Sequence, residues 1–202
     1  ALKATIIEGE REKTNAPTKQ TVMITSAELD EHRGQTLGDA LKTVNGVTTL
    51  QTGPSISKPV IHGLHSQRIT VMNAGVAQEG QQWGAEHAPE IDPFSISTIE
   101  VLKGAATVEY GAGAIGGVIR VEPRELPTTP IIGGEFTANG FTNNRQGAAS
   151  VLLEGGIPSV EGMGWRVQAS GRKAGNSETR EYWLGNTGFE ELNASAALGY
   201  VA

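Results

Sequence analysis

The sequence contains no cysteine, which excludes disulfides and thiolate metal sites but leaves the cellular compartment open. Charged residues make up only 19% of the chain, which is low for a soluble enzyme. The formal net charge of -6 argues against a general nucleic-acid binder, because such a protein needs a basic face. No apolar run approaches the roughly 18 residues of a membrane helix, and the first residues do not read as a signal peptide.

Glycine, in contrast, is abundant, with 27 of 202 residues, nearly twice the average share of about 7%. The glycines stand singly or in pairs between short apolar runs rather than in a linker. This distribution is typical of a chain with many strands and turns.

Two short helices are predicted in the first part of the chain. Ser26 is a suitable N-cap and begins the first helix. Thr36 and Asp39 resemble a capping box, and the apolar residues after them fall on one helical face, with Gly46 as the residue just past the helix end. A long loop is expected at residues 78–93. The predicted strands of this part cover residues 21–25, 60–63, 68–72, 97–102 and 117–122.

The pattern changes near Leu126, after which apolar residues alternate with polar or small ones. Such alternation predicts antiparallel strands, and runs of about nine to eleven residues suit tilted strands that cross a bilayer. A small water-soluble sheet would alternate in the same way. The apolar faces consist mainly of Ala, Leu and Val, with a Trp and a Tyr near strand ends. This composition favours membrane-crossing strands over a water-soluble sheet. The predicted strands cover residues 133–142, 147–155, 163–173 and 190–202.

Four sets of residues then occur in order: TLGDALKTVNGV (36–47), IHGL (61–64), VMNAGV (71–76) and IEVLKGAATVEYGAGAIGGVIRV (99–121). Together they resemble the plug domain of TonB-dependent outer-membrane receptors, and the last set is the most specific. A plug has to turn sharply inside a barrel, and glycine permits positive φ and close backbone approach. Gly104, Gly111, Gly113, Gly116 and Gly117 are expected to serve this purpose. The chain departs from the family pattern at Asn45, where proline is usual, and at His62, where arginine is usual.

The resemblance implies an α+β plug domain at residues 1–125, with a small mixed sheet, short helices and glycine-rich loops. Residues 126–202 would be the first four or so antiparallel transmembrane strands of a plugged, roughly 22-stranded β-barrel. The chain is therefore expected to be a fragment of an outer-membrane transporter, with no enzymatic activity and no required cofactor. The implied partners are TonB with its inner-membrane energising complex, the chain's own barrel and outer-membrane lipid. The plug would lie inside the barrel with its N-terminus facing the periplasm.

The predicted loop also gives an indication of cargo. Glu86-His87-Ala88 resembles the Asp-His-Ala triplet of the zinc-uptake receptors within the family, so Glu86 and His87 are the strongest candidate ligands. Carboxylate and imidazole together suit zinc and similar divalent ions. Solvated side chains or turn residues also explain the weaker candidates, which are His62, His65, Glu79 and Asp92. Zinc is the favoured cargo, and a siderophore, haem or another metal complex remains open.

Energy coupling is expected near the start of the chain. In the family, an extended segment adds as a strand to TonB by β-augmentation. By this resemblance the expected contact residues are Thr5, Ile6, Ile7 and Glu8 in the first plug strand, with the TonB-binding segment at or before them.

Two functions of other classes remain as alternatives. A zinc-dependent hydrolase could use His62, His65 and His87 with a glutamate base, but the chain has no H-E-x-x-H spacing. A structural or adhesive β-rich surface protein would explain the alternating strands, but not the ordered glycines.

Overall fold

The structure is a computed structural model that describes residues 20–79 and 90–201. No helix within these ranges is long and apolar enough to span a membrane. Within these ranges the α-helices are α1 (Ser26–Asp30) and α2 (Leu37–Leu41). The strands are β1 (Gln20–Ile24), β2 (Val47–Gln51), β3 (Ser57–Ile61), β4 (Ile69–Asn73), β5 (Val76–Gln78), β6 (Ile96–Lys103), β7 (Gly117–Pro123), β8 (Ile132–Phe141), β9 (Gln146–Gly156), β10 (Met163–Ala174) and β11 (Phe189–Tyr200).

The first half of the described chain is built on a five-stranded mixed sheet with the order β1-β6-β7-β4-β5, called the plug sheet below. β4 and β7 run parallel, whereas the other pairs are antiparallel. Val71, Ile99, Val101 and Ile119 are fully buried, and burial of each such side chain contributes roughly 1.5–3 kcal/mol. They form one core with the apolar residues of α1 and α2. β2 and β3 pair as a separate two-stranded sheet.

The second half is a four-stranded antiparallel sheet with the order β11-β10-β9-β8, called the wall sheet below. Its strands match the four predicted from alternation to within two residues at each end. Consecutive strands are neighbours throughout, with continuous register along β9, β10 and β11.

The N-terminus of α2 is closed by the predicted capping box. The Asp39 N–H donates to Thr36 Oγ1 at 3.2 Å, and Thr36 Oγ1 donates to Asp39 Oδ2 at 2.7 Å. The prediction for the other end was wrong, because the helix ends at Leu41 with Lys42 as its C-cap. Val44 instead closes a tight turn on Leu41, so the apolar face continues beyond the helix and Gly46 belongs to the turn before β2.

The Asp39 cap predicts a pH-dependent contribution to stability. Burial raises the pKa of the Asp39 carboxyl, but hydrogen bonds from Lys42 and Thr36 outweigh this effect and lower the pKa below its usual value. Because the folded-state pKa is the lower one, the stabilisation is present above the unfolded value of about 3.9 and is lost as the pH falls through the folded value.

We therefore expect Asp39→Asn to destabilise the plug by about 1 kcal/mol at pH 7, with the difference from wild type shrinking below pH ~4. Urea unfolding of wild type and Asp39→Asn at several pH values measures this difference in the free energy of unfolding. Glu31→Gln, a change at an exposed carboxylate outside the box, is the control and should match wild type at pH 7. If Asp39→Asn differed from wild type by the same free energy of unfolding at all pH values, the stabilising role of the ionised Asp39 carboxylate would be contradicted.

The glycine-rich segment between β6 and β7 forms two 3-10 helices, Gly104–Tyr110 and Ala112–Ala114, which the sequence did not predict. Gly117 has φ +153°, and a Cβ on Gly116 would lie 2.9 Å from the Arg68 carbonyl oxygen. Positive φ is also found at Gly104 and Gly111. The expectation for Gly113 was wrong, because it lacks positive φ and the nearest atom to an added Cβ is 3.6 Å away.

Candidate plug–wall interface and ligand residues

The two faces of the wall sheet differ in polarity, and the polar face lies against the rest of the chain. Its buried side chains include Ser150, Arg166, Gln168, Ser170 and Arg172. The opposite face is apolar and exposed, with Phe136, Val151, Leu153, Val167, Leu192 and Leu198. A water-soluble sheet buries its apolar face and exposes its polar one. The arrangement here is the reverse, as expected for strands that face lipid on one side.

This polarity predicts the behaviour of the 202-residue chain in solution. The exposed apolar face and the free edges of β8 and β11 promote association with other copies. We expect oligomers or aggregates in detergent-free buffer and dispersal in detergent, as measured by size-exclusion chromatography with light scattering. A clean monomer without detergent would contradict the assignment of the lipid-facing side.

Arg166 ties the connection between the two sheets to the wall. Its guanidinium donates to the carbonyl oxygens of Arg124 and Glu125, both at 2.6 Å. It also pairs with Glu154 on β9 at 2.6 Å. The side chain is only 7% exposed, so these bonds form largely away from water and hold residues 124 and 125 against the wall.

Asp92 forms a contact between the plug and the wall. Its Oδ2 accepts from the Ser170 hydroxyl at 2.7 Å, and its Oδ1 accepts from the Phe94 N–H at 3.0 Å. Asp92 was predicted as a weaker metal ligand. Both of its carboxylate oxygens already accept hydrogen bonds, so coordination of a metal would have to replace them.

His62 follows β3 in a strained turn. Its φ is +49°, its N–H donates to the Gly46 carbonyl at 3.0 Å, and its Nε2 lies 2.8 Å from where a Cβ of Gly46 would be. The Lys103 ammonium lies 3.7 Å from the same point and donates to the Asn45 carbonyl. Burial lowers the pKa of Lys103. A cation so close to the imidazole opposes the binding of a second cation there.

The other candidate ligands are dispersed or lie outside the described residues. His65 is exposed, with Nδ1 at 3.0 Å from Ser66 Oγ, and Glu79 is exposed after β5. Glu86 and His87 fall in residues 80–89 and the predicted TonB contact at 5–8 falls in residues 1–19, which the structure does not describe. Within 20–79 and 90–201, no three His, Asp or Glu side chains gather to hold a metal ion. The metal site therefore stays a prediction.

A narrow polar crevice remains between the plug and the wall. Arg33, Ser95 and Ile96 line it from the plug side, and Glu135, Thr137 and Gln168 line it from the wall side. The sequence did not single out Arg33, a buried arginine on the plug side of this interface. The available signal was an Arg-Gly pair between two short helices. Asp30 pairs with Arg33 Nε at 2.9 Å, but the carbonyls of Phe94 and Ile96 that Arg33 also binds lie far away along the chain.

The chain also resembles known proteins in sequence. The family model of the TonB-dependent receptor plug domain matches residues 12–118, more than half of the chain. The chain is 33% identical over 122 residues to the hemin receptor of Yersinia pestis, covering 60% of this chain and 15% of that protein. It is 30% identical over 173 residues to the probable TonB-dependent siderophore receptor PiuA of Acinetobacter baumannii, covering 82% of this chain and 21% of that protein.

Solved structures show the same fold. The copper transporter OprC superposes with a TM-score of 0.70 at 21% identity, over 90% of this chain and 28% of that one. The siderophore receptor PirA of Pseudomonas aeruginosa superposes with a TM-score of 0.67 at 21% identity, over 92% of this chain and 31% of that one. This chain thus spans less than a third of each of these relatives and structures.

A glycine-rich mixed sheet docked on the polar face of an antiparallel wall defines a plugged outer-membrane barrel of which this chain is a part. The chain belongs to the TonB-dependent receptor plug domain family. This membership confirms the predicted fold class, the outer-membrane location and the non-enzymatic character, and it agrees with a protein that needs no cofactor.

Proposed function

We propose that residues 1–125 are the plug and residues 126–202 the first barrel strands of a TonB-dependent transporter that takes up a metal ion or a metal complex. The polarity of the wall sheet is the observation that carries the proposal. Its polar side chains bind the plug, while its apolar side chains are exposed. A plug held by hydrogen bonds inside such a wall closes the barrel and can be displaced without unfolding the strands.

Two kinds of cargo are supported by different observations. The relatives include a hemin receptor, a probable siderophore receptor and the vitamin B12 transporter BtuB of Vibrio vulnificus, which is 33% identical over 102 residues. These relatives favour an organic metal complex. The Glu86-His87 pair favours a zinc ion.

Deletion of the parent gene tests the transport function. Mutant and wild-type cells are grown with zinc, copper, haemin, a ferric siderophore or vitamin B12 as the limiting source. We expect a growth defect on one of these sources, rescue by the gene, and no rescue in cells that also lack TonB. Equal growth of mutant and wild type on all five sources would overturn the transport proposal.

Titration of the detergent-solubilised full receptor with zinc tests the ion assignment separately. If Glu86 and His87 bind zinc, His87→Ala should lower the affinity at least tenfold, since a lost ligand weakens coordination strongly. His32→Ala, at a half-buried histidine that hydrogen-bonds Gln35, serves as the matched control. Identical zinc binding by His87→Ala and wild type would rule the pair out and leave the organic cargo.

The contact with TonB is proposed at residues 5–8. Ile6→Pro removes a backbone donor that strand addition needs, whereas Ile6→Ala retains it. We expect the proline variant alone to lose co-purification with the periplasmic domain of TonB. Equal recovery of both variants would move the contact elsewhere.

A further inference from the structure

The polar crevice between the plug and the wall is too small for an organic cargo. Its volume is about 20 Å³, which leaves room for a water or for one small ion. The side chains of Arg33, Ser150, Arg166 and Gln168 line it, and all four residues are more than nine-tenths buried. The hydrogen bonds and charges of these buried groups therefore decide what the crevice binds.

The buried groups that remain free in the crevice are mainly hydrogen-bond donors. Arg33 uses its Nε for Asp30 and its Nη1 for backbone carbonyls within residues 93–96. Within the described ranges no acceptor is bonded to its Nη2, and this atom is not sealed inside the protein, so it faces the crevice that Arg33 lines. On the wall side, Ser150 Oγ accepts from Gln168 Nε2 at 3.2 Å, which leaves the Ser150 hydroxyl hydrogen and one Gln168 N–H to donate.

The carboxylate that lines the crevice is already paired. Glu135 Oε2 accepts from Arg124 at 2.9 Å, and both residues are exposed. Its Oε1 accepts from the Thr137 hydroxyl at 3.4 Å. Glu135 therefore balances Arg124 at the rim of the crevice and leaves the buried arginines to other partners.

The buried charge around the crevice is positive. Arg166 pairs with Glu154 at 2.6 Å, and both side chains are largely shielded from water. Asp30, the carboxylate that pairs with Arg33, has 66% of its side chain exposed, so water screens its charge. Buried charges are normally paired with a shielded partner, and Arg33 lacks one within the described chain. The crevice beside Arg33 therefore favours a single negative charge.

We propose that the crevice binds one small monovalent anion of the size of chloride, held by Arg33 from the plug and by Ser150 and Gln168 from the wall. An anion accepts hydrogen bonds and donates none, which matches the free donors, and bonds from a charged donor are the stronger ones. A water of the same volume would leave the charge of Arg33 without a counter-ion. The site is separate from the candidate cargo ligands and needs no cargo.

Hydrogen exchange of the full receptor in detergent tests the site in solution. The anion contacts both the plug and the wall, so it stabilises the docked state, and a ligand of one state shifts the equilibrium in proportion to its concentration above Kd. Gluconate is too large for the crevice. At constant ionic strength, replacing gluconate by chloride should slow exchange of residues 94–96 by about tenfold for each tenfold rise in chloride. Residues 48–50 of β2, outside the crevice, should exchange alike in both salts. Equal exchange of residues 94–96 in both salts would overturn the anion site.

Gln168→Glu places a negative charge in the crevice and leaves the size of the side chain nearly unchanged. The Ser150 hydroxyl can donate to the new carboxylate, which also neutralises Arg33, so the receptor should fold and lose its response to chloride. Gln51→Glu, at an exposed position of β2, makes the same change of net charge and should keep the full response. A response that persists in Gln168→Glu would contradict the site.

Crystals of the full receptor grown in bromide locate the ion, because bromide scatters anomalously and replaces chloride. We expect an anomalous peak beside Arg33 Nη2 and Ser150 Oγ that is absent in Gln168→Glu. Ordinary water density in the crevice, with no anomalous signal, would overturn the proposal. Neither experiment involves transport, so a failed growth assay would count against the transport function and leave the anion site standing.

Discussion

Gly117→Ala is expected to increase hydrogen exchange of the β6 and β7 amides by about 100-fold or more, since each 1.4 kcal/mol of lost stability is tenfold. Gly117 has φ +153°, and an added Cβ would lie 2.5 Å from Ile61 Cδ1 and 3.0 Å from the Leu102 carbonyl oxygen. Backbone strain and overpacking each cost about 1–3 kcal/mol. Because Leu102 contributes a backbone atom, a side-chain rotation cannot relieve the second clash.

Gly113→Ala is the matched control, since it lies in the same glycine-rich segment. Its nearest neighbours to an added Cβ are Thr70 Oγ1 at 3.6 Å and the Gln67 carbonyl at 3.8 Å, which are ordinary contacts. Exchange mass spectrometry on the purified receptor should show wild-type rates for this variant. Equal acceleration by both substitutions would mean that the geometry at Gly117 is not what requires glycine.

Arg166→Met should destabilise the docking of the connection between plug and wall by about 3 kcal/mol, since it leaves a half-buried carboxylate and two carbonyls without their donor. Among the described residues, the cation that then remains near Glu154 is Arg124, at 3.6 Å. Limited proteolysis of residues 124–131 and the urea midpoint of the receptor measure the effect. Adding Glu154→Gln should recover part of the loss, because the unpaired charge is removed.

The control for Arg166→Met is Lys173→Met, which breaks an exposed pair with Glu190 at 2.8 Å. Exposed pairs contribute about 0–1 kcal/mol, so this variant should resemble wild type. If Arg166→Met behaved like Lys173→Met, or if Glu154→Gln gave no recovery, the Arg166–Glu154 pair would not be what fixes the connection.

The wall strands could be predicted closely because one physical rule decides them. Alternate side chains of a strand face opposite sides, so residues such as Val167 and Gln168 separate by parity alone. The cap at Thr36 and Asp39 was predictable because it is local. The end of α2 was not, because its turn closes at Val44 through packing in the core.

The interface could not be predicted residue by residue. The carbonyls of Arg33 and Gly34 accept hydrogen bonds from side chains more than 100 positions away along the chain. Every residue has a backbone carbonyl, so the sequence does not mark these two as acceptors. Alternation indicated that Arg172 lies on the polar face, but not what it binds, and Gln146 lay just outside the predicted strand 147–155, although it begins β9. Asp92 shows the opposite difficulty: its residue type suits a metal, yet its oxygens bind Ser170 and a backbone N–H.

The Lys173–Glu190 pair has a consequence for how deeply the protein sits in its membrane. Both residues lie on the apolar face, and along β11 the outward positions from Leu192 to Tyr200 carry no charge. Eight steps of about 3.3 Å, tilted by about 40°, cover about 20 Å of height, close to the apolar band of such barrels. The Lys173–Glu190 pair and Tyr200, the last residue of β11, thus mark the two ends of the uncharged stretch on this face, and the length of that stretch limits how far the wall can shift along the membrane normal.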